Sequence, residues 1–105
     1  MTTLILLAAL LGTAEAADTN AGRSAYVAKC QACHGSGGKG DGPASRALPK
    51  KPADMTTDDF WNGTTDEKLG ATISKGKPGS AMRAFPMKPE QLADLIAYLN
   101  TLKPE

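Results

Sequence analysis

The stretch Cys30-Gln31-Ala32-Cys33-His34 limits what this chain can be more than any other. It holds both cysteines and the only histidine in 105 residues. A Cys-x-x-Cys pair can be a redox dithiol or part of a metal site. When His follows at once, it can also be an attachment point for haem.

The dithiol reading asks for a βαβ pattern around the motif, and no segment here alternates apolar and polar residues as a strand does. A simple disulfide across this spacing closes a very small loop and gains little chain entropy. Structural zinc asks for four protein ligands. The chain offers only Cys30, Cys33 and His34, and the adjacent histidine cannot easily share a tetrahedron with both thiolates. Haem meets no such obstacle. Two thiols three positions apart on a helical turn point the same way, so they can add across the two vinyl groups of one porphyrin as thioethers. The imidazole of His34 then reaches the iron from that side. The motif predicts one covalent haem c per chain, bound through Cys30 and Cys33 with His34 as a ligand to iron.

Thioether attachment belongs to an exported chain, and the N-terminus agrees. Residues 4–11 read LILLAALL, too short for a spanning helix of about 20 residues but suited to the apolar region of a signal peptide. Ala14-Glu15-Ala16 supplies an A-x-A cleavage site. The expected division is a signal peptide over 1–16 and one domain over 17–105, located in the periplasm. Met1-Thr2-Thr3 departs from the pattern in lacking Lys or Arg, and an uncleaved apolar anchor or a disordered tail is the alternative. The mature part carries 12 Lys and Arg against 10 Asp and Glu, a net charge of +2 that is too weak to point to nucleic acid. A domain this small is marginal without a disulfide, metal or cofactor to staple it.

Three helices are expected, and the fold class is all-α. The first covers about 19–32, capped by Asp18 or Thr19, with Ala21, Ala25 and Ala28 at helical spacing and Gly22 and Tyr26 beside them. The second covers about 65–75, with Thr64 and Glu67 spaced as a capping box, Leu69 and Ile73 one turn apart, and Gly76 past the end. The third starts at Pro89 and carries Leu92, Leu95, Ile96, Leu99 and Leu102 as one apolar stripe. Residues 35–55, rich in Gly and Pro, read as a long loop, of a length that is usually functional or disordered.

On these residues the chain resembles the small bacterial monohaem class I cytochromes c over essentially its whole mature length. Gly22 and Tyr26 precede Cys30 by eight and four residues, Leu95 and Tyr98 stand three apart on the last helix, and GKGDGP is followed by a Pro-rich loop. The resemblance implies the cytochrome c fold, three main helices and loops around one haem, with Gly22 letting the last helix cross closely. It also implies that the Pro43 carbonyl accepts a hydrogen bond from His34 Nδ1, which would orient the imidazole and raise its basicity.

A second axial histidine is excluded, since none exists. Of Met55, Met82 and Met87, each can equally be core filler. The resemblance places the sixth ligand in a Gly-x-Pro-Gly-Ser/Thr-x-Met-Pro loop, which GKPGSAMRAF matches as far as Met82. Arg83 stands where the family usually has Pro, and the Pro-Met pair of FPM makes Met87 the rival. A Met/His pair raises the reduction potential relative to His/His.

Trp61 has two readings, packing or an indole N–H given to a haem propionate. Arg83 and Lys51 are further candidates for neutralising propionates. Gly35, Gly37 and Gly40 form a chance G-x-G-x-x-G without the strand a dinucleotide loop needs; they are read as allowing close backbone approach to the porphyrin. Lys39, Lys50, Lys51, Lys75, Lys77 and Lys88 are either ordinary solubilising charge or a basic ring for an acidic redox partner. The expected function is periplasmic electron transfer with His34/Met82 ligation and no substrate turnover, between a reductase or dehydrogenase donor and an oxidase or other acceptor. The alternatives are the cytochrome subunit of a periplasmic dehydrogenase and a peroxidase-like haem with an open site.

Overall fold

The computed structural model describes residues 16–105. The apolar run and most of the cleavage motif lie outside the described residues. Within them there are five α-helices, one 3-10 turn and no strand, and no helix is long and apolar enough to cross a membrane. The all-α expectation holds.

Helix α1 is Thr19–Lys29. The Asp18 carboxylate caps it by accepting from the Asn20 and Ala21 amides at 2.9 and 3.1 Å, which satisfies donors that a helix start leaves free. The expected helix through Ala32 is broken at Cys30, where φ is −118° and ψ −32°. The chain resumes as the short α2, Gln31–His34. A 3-10 turn, Pro43–Ala47, and the five-residue α3, Asp58–Asn62, lie in stretches that periodicity cannot resolve. The Thr57 hydroxyl caps α3 by accepting from the Phe60 amide at 3.2 Å.

Helix α4 is Asp66–Lys75, and its cap is one residue later than expected. Thr65, not Thr64, accepts from the Lys68 amide, at 3.1 Å. The Thr64-Thr65 doublet permits both registers, and only the one that turns Leu69, Gly70 and Ile73 inward together is adopted. Replacing Thr65 with alanine is expected to cost about 1 kcal/mol, whereas Thr64→Ala should leave a urea unfolding midpoint nearly unchanged.

Helix α5 is Pro89–Asn100. Gln91 Oε1 reaches back to accept from the Lys88 amide at 3.2 Å, while Pro89 occupies the first turn, where its missing N–H is no loss. Leu95 and Leu99 are buried against Tyr26, Met55 and Ile73, and Leu92, Ile96 and Leu102 of the same stripe are half-buried around them.

The arrangement turns on the crossing of α1 and α5. Gly22 lies against the α5 backbone. A Cβ there would overlap the Asp94 carbonyl oxygen, stand 2.6 Å from the Asp94 carbonyl carbon and 2.9 Å from Tyr98 Cβ. The rings of Tyr26 and Tyr98 pack beside it, 5.2 Å between centroids. The Asp18 amide donates to Asp94 Oδ1 at 2.8 Å, tying the start of α1 to α5. This crossing delivers the end of α1, and with it Cys30 to His34, to a fixed place on the core.

Candidate haem site

Cys30, Cys33 and His34 are all half-buried on the α1–α2 turn. The amides of Cys33 and His34 both donate to the Cys30 carbonyl, at 3.2 and 2.9 Å, so the motif is wound into a single turn with its side chains close in angle. The two thiols are not joined in a disulfide. Burial pushes the Cys30 thiol up to about 11, with Cys33 adding to the shift and Lys29 opposing it. A thiol so raised stays protonated near neutral pH, unlike the lowered thiol of a redox nucleophile. No three His, Cys, Asp or Glu side chains among the described residues converge to hold a metal ion.

His34 is held neutral: burial keeps its imidazole below the ordinary value of 6.5, the form in which a ring nitrogen can bind a metal. Its Nδ1 is buried with no hydrogen-bond partner. The bond to the Pro43 carbonyl is thus not formed in this structure. The Pro43 turn nevertheless lies close to the motif, since the Gly42 amide donates to the Cys33 carbonyl at 3.1 Å.

Trp61 takes the packing role. It is half-buried on α3, and its indole N–H donates to the Met55 carbonyl at 2.8 Å. Trp has one polar hydrogen and no acceptor, so in this geometry that hydrogen is spent and is not free for a propionate. Lys103 covers the ring, its Nζ 4.9 Å from the centroid.

The three methionines separate by environment. Met55 is 5% exposed, inside the core. Met87 lies in a shallow depression with Ala21, Ala25, Lys29, Gln91 and Asp94, between α1 and the start of α5. Met82 is half-buried on the loop after α4. That loop is tied at several points: the Lys77 amide donates to the Met82 carbonyl at 3.0 Å, the Met82 amide to Ser80 Oγ at 3.2 Å, and the Phe85 amide to the Ile73 carbonyl at 2.7 Å. Arg83, standing where Pro was expected, places its guanidinium 4.9 Å from the Phe85 ring centroid, a cation–π contact.

The glycines after the motif serve the loop itself. Gly35 has φ +86° and its Cβ position is taken by Asp41, Gly40 abuts the Pro52 carbonyl, and Gly37 has nothing within 4 Å. Lys39, Lys50, Lys51, Lys75, Lys77 and Lys88 are all exposed.

Two free thiols on one turn with a neutral, half-buried imidazole beside them form a donor set that fits a c-type haem, and partly covered apolar side chains, Phe60, Met82, Phe85, Leu92 and Ile96 among them, pack on the core. Residues 19–103 match the family model described as cytochrome c. The chain belongs to the cytochrome c family. Cytochrome c6 of Nostoc is 36% identical over 88 residues, covering 82% of this chain and 72% of that protein. The cbb3-type cytochrome c oxidase subunit FixP of Bradyrhizobium diazoefficiens is 32% identical over 95 residues, covering 88% of this chain and 30% of FixP. This cytochrome thus spans less than a third of FixP. Among solved structures, a chain of the reducing HAO-like protein complex of Kuenenia stuttgartiensis aligns with TM-score 0.69 at 31% identity, over 82% of this chain and 43% of that one. The KustC0563 c-type cytochrome aligns with TM-score 0.67 at 24% identity, over 78% and 96%, a likeness of fold. The cytochrome c family carries its haem covalently and transfers electrons through it.

One residue escaped the reading from sequence. The sequence places Tyr26 beside Gly22 on the first helix and gives its hydroxyl no role, but that hydroxyl donates to the Gly35 carbonyl. A tyrosine at a buried position is itself the signal, since a phenol enclosed in a core needs a partner.

Proposed function

We propose that this cytochrome is an exported one-electron carrier of the periplasm, with haem c attached through Cys30 and Cys33 and the iron ligated by His34 and Met82. The observation that carries the reading is the pairing of two unbridged thiols with a neutral, half-buried His34 on one turn. When bound, the haem supplies exchange of one electron between ferric and ferrous iron. The chain's contribution is to hold that group. Cys30 and Cys33 would anchor it as thioethers, and His34 would present a ring nitrogen to its iron.

Met82 is favoured over Met87 by its surroundings. It sits on a loop closed by its own backbone bonds and fed from α4 through the Ile73–Phe85 bond. Met87 is occupied in the α1–α5 depression. The test is a pair of variants read by absorbance. In the ferric protein Met82→Ala should remove the methionine–iron charge-transfer band, and Met87→Ala should retain it. Loss of the band in Met87→Ala alone would reverse the assignment.

A second reading follows from the relatives. FixP is a subunit of an oxidase, and the Kuenenia chain is part of a complex. A haem module of this size can serve as a docked subunit of a periplasmic dehydrogenase or oxidase, with the exposed lysines meeting an acidic redox partner.

A further inference from the structure

Residues 82–88 join the loop after α4 to the start of α5 and belong to no helix. Met82 and Phe85 are both tied to α4 or its end. The Met82 carbonyl accepts from the Lys77 amide at 3.0 Å, and the Phe85 amide donates to the Ile73 carbonyl at 2.7 Å. Between them, Arg83 and Ala84 make no main-chain hydrogen bond among the described residues. What lies against this stretch is Gly76. A Cβ there would stand 2.9 Å from the Met82 carbonyl oxygen, 3.0 Å from the Arg83 carbonyl carbon and 2.9 Å from the Ala84 nitrogen. That contact blocks movement toward α4 but not away from it.

A proline at position 83 would fix φ near −65° by itself. Arginine leaves that rotation open, so the residue after Met82 needs another restraint. Its side chain supplies one. The Arg83 guanidinium stands 4.9 Å from the centroid of the Phe85 ring, within reach of a cation–π attraction. Phe85 is half-buried and packs against the core, so the ring is a fixed base. Arg83 is exposed. No Asp or Glu stands within residues 68–89, so the loop itself offers no carboxylate to compete for the guanidinium. The contact spans the two unbonded residues and ties the first of them to the core.

We infer that Arg83 is a positioning residue for Met82: its clasp on Phe85 holds the peptide that follows Met82 and thereby slows the departure of the methionine sulfur from the haem iron. This rests on the reading of Met82 as the sixth ligand. Met82 and Arg83 share a peptide unit, so a swing of the Met82 main chain away from Gly76 must carry Arg83 with it and open the contact with Phe85.

The test is a double-mutant cycle on the haem-loaded ferric protein, read by displacement of the methionine with imidazole. At saturating imidazole the rate levels off at the rate at which the methionine leaves. Arg83→Gln is expected to raise that limiting rate about two- to fivefold, the equivalent of a solvent-exposed cation–π contact. Phe85→Leu keeps the charge and an apolar side chain but removes the π face, and it is expected to raise the rate as well. The double variant is expected to be no faster than Phe85→Leu alone, because the shared contact can be lost only once. Effects that multiply in the double variant would mean that the two residues act independently, and would overturn the proposal. So would the parent's limiting rate in Arg83→Gln, even with a lowered melting temperature, since the contact would then be structural only. Met82→Ala tests the ligand reading apart from the clasp. If the methionine–iron band survives in that variant, Met82 is not the ligand and Arg83 has nothing to position. If the band is lost there, multiplying effects in the cycle count against the clasp alone.

Discussion

Replacing both Cys30 and Cys33 with serine is expected to yield a chain that retains no haem stain on a denaturing gel and unfolds far below the parent. Serine keeps the size and polarity of the site but cannot form a thioether, so any haem taken up is held by coordination and is lost on denaturation. The stability effect follows from the shape of the core. Six apolar side chains are buried among the described residues: Tyr26, Met55, Leu69, Ile73, Leu95 and Leu99. A larger set, including Phe60, Phe85, Leu92 and Ile96, is only partly covered. A domain of this size with so few enclosed side chains is marginal unless a bound group completes it. A covalent haem would stay attached to the unfolded chain, so what it adds is apolar burial made only on folding, and burial equal to one large apolar side chain is worth about 1.5–3 kcal/mol. At about 4–8 °C per kcal/mol for a domain of this size, the loss is roughly 6–24 °C in melting temperature by circular dichroism. A double variant that melts with the parent would show that the core is self-sufficient. Either single variant retains one thioether and should keep the stain.

The difference between what was legible in the chain and what was not follows the range of the interaction. Helix α5 was legible because Pro89, the Leu stripe and the capping side chain all act within a few residues of one another. The Cys-x-x-Cys-His turn was legible for the same reason, since its geometry is set by one turn of backbone. The α4 cap was misplaced by one residue because Thr64 and Thr65 are locally equivalent. The choice between them is made by which register buries Leu69, Gly70 and Ile73, and that depends on α5. Helix α3 is too short to show a period. Only Thr57 with Asp58 and Asp59 behind it announces a helix start. The partner of the Trp61 indole depends on where the Met55 carbonyl arrives after the 35–55 loop closes, which no local pattern encodes. The expected bond from His34 to Pro43 came from resemblance alone, and the imidazole here makes no bond at that nitrogen. Gly22 is an intermediate case. Its place in the chain is plain, but the reason it must be glycine lies 72 residues away at Asp94.

Gly22→Ala sets two effects of opposite sign against each other, and the crossing is expected to win. In an exposed helix interior, alanine in place of glycine stabilises by about 1 kcal/mol. At Gly22 the added methyl meets backbone: the Asp94 carbonyl group on one side and Tyr98 Cβ on the other. A flexible side chain could turn aside, but a carbonyl within α5 cannot move without moving the helix. Separation of α1 from α5 would loosen Leu95, which is fully buried, and open the Tyr26–Tyr98 contact. It would also break the Asp18–Asp94 bond that anchors the start of α1. Overpacking in cores typically costs about 1–3 kcal/mol and occasionally more, and a backbone clash belongs at the upper end. The expected net loss is about 2 kcal/mol, or roughly 8–16 °C in melting temperature for a domain of this size, and Gly22→Val should lose more, having gained less helix propensity. Thermal unfolding at 222 nm decides the sign. A Gly22→Ala protein as stable as the parent would mean that the two helices are not in backbone contact, and with it would fall the account of how α1 carries Cys30, Cys33 and His34 to their place.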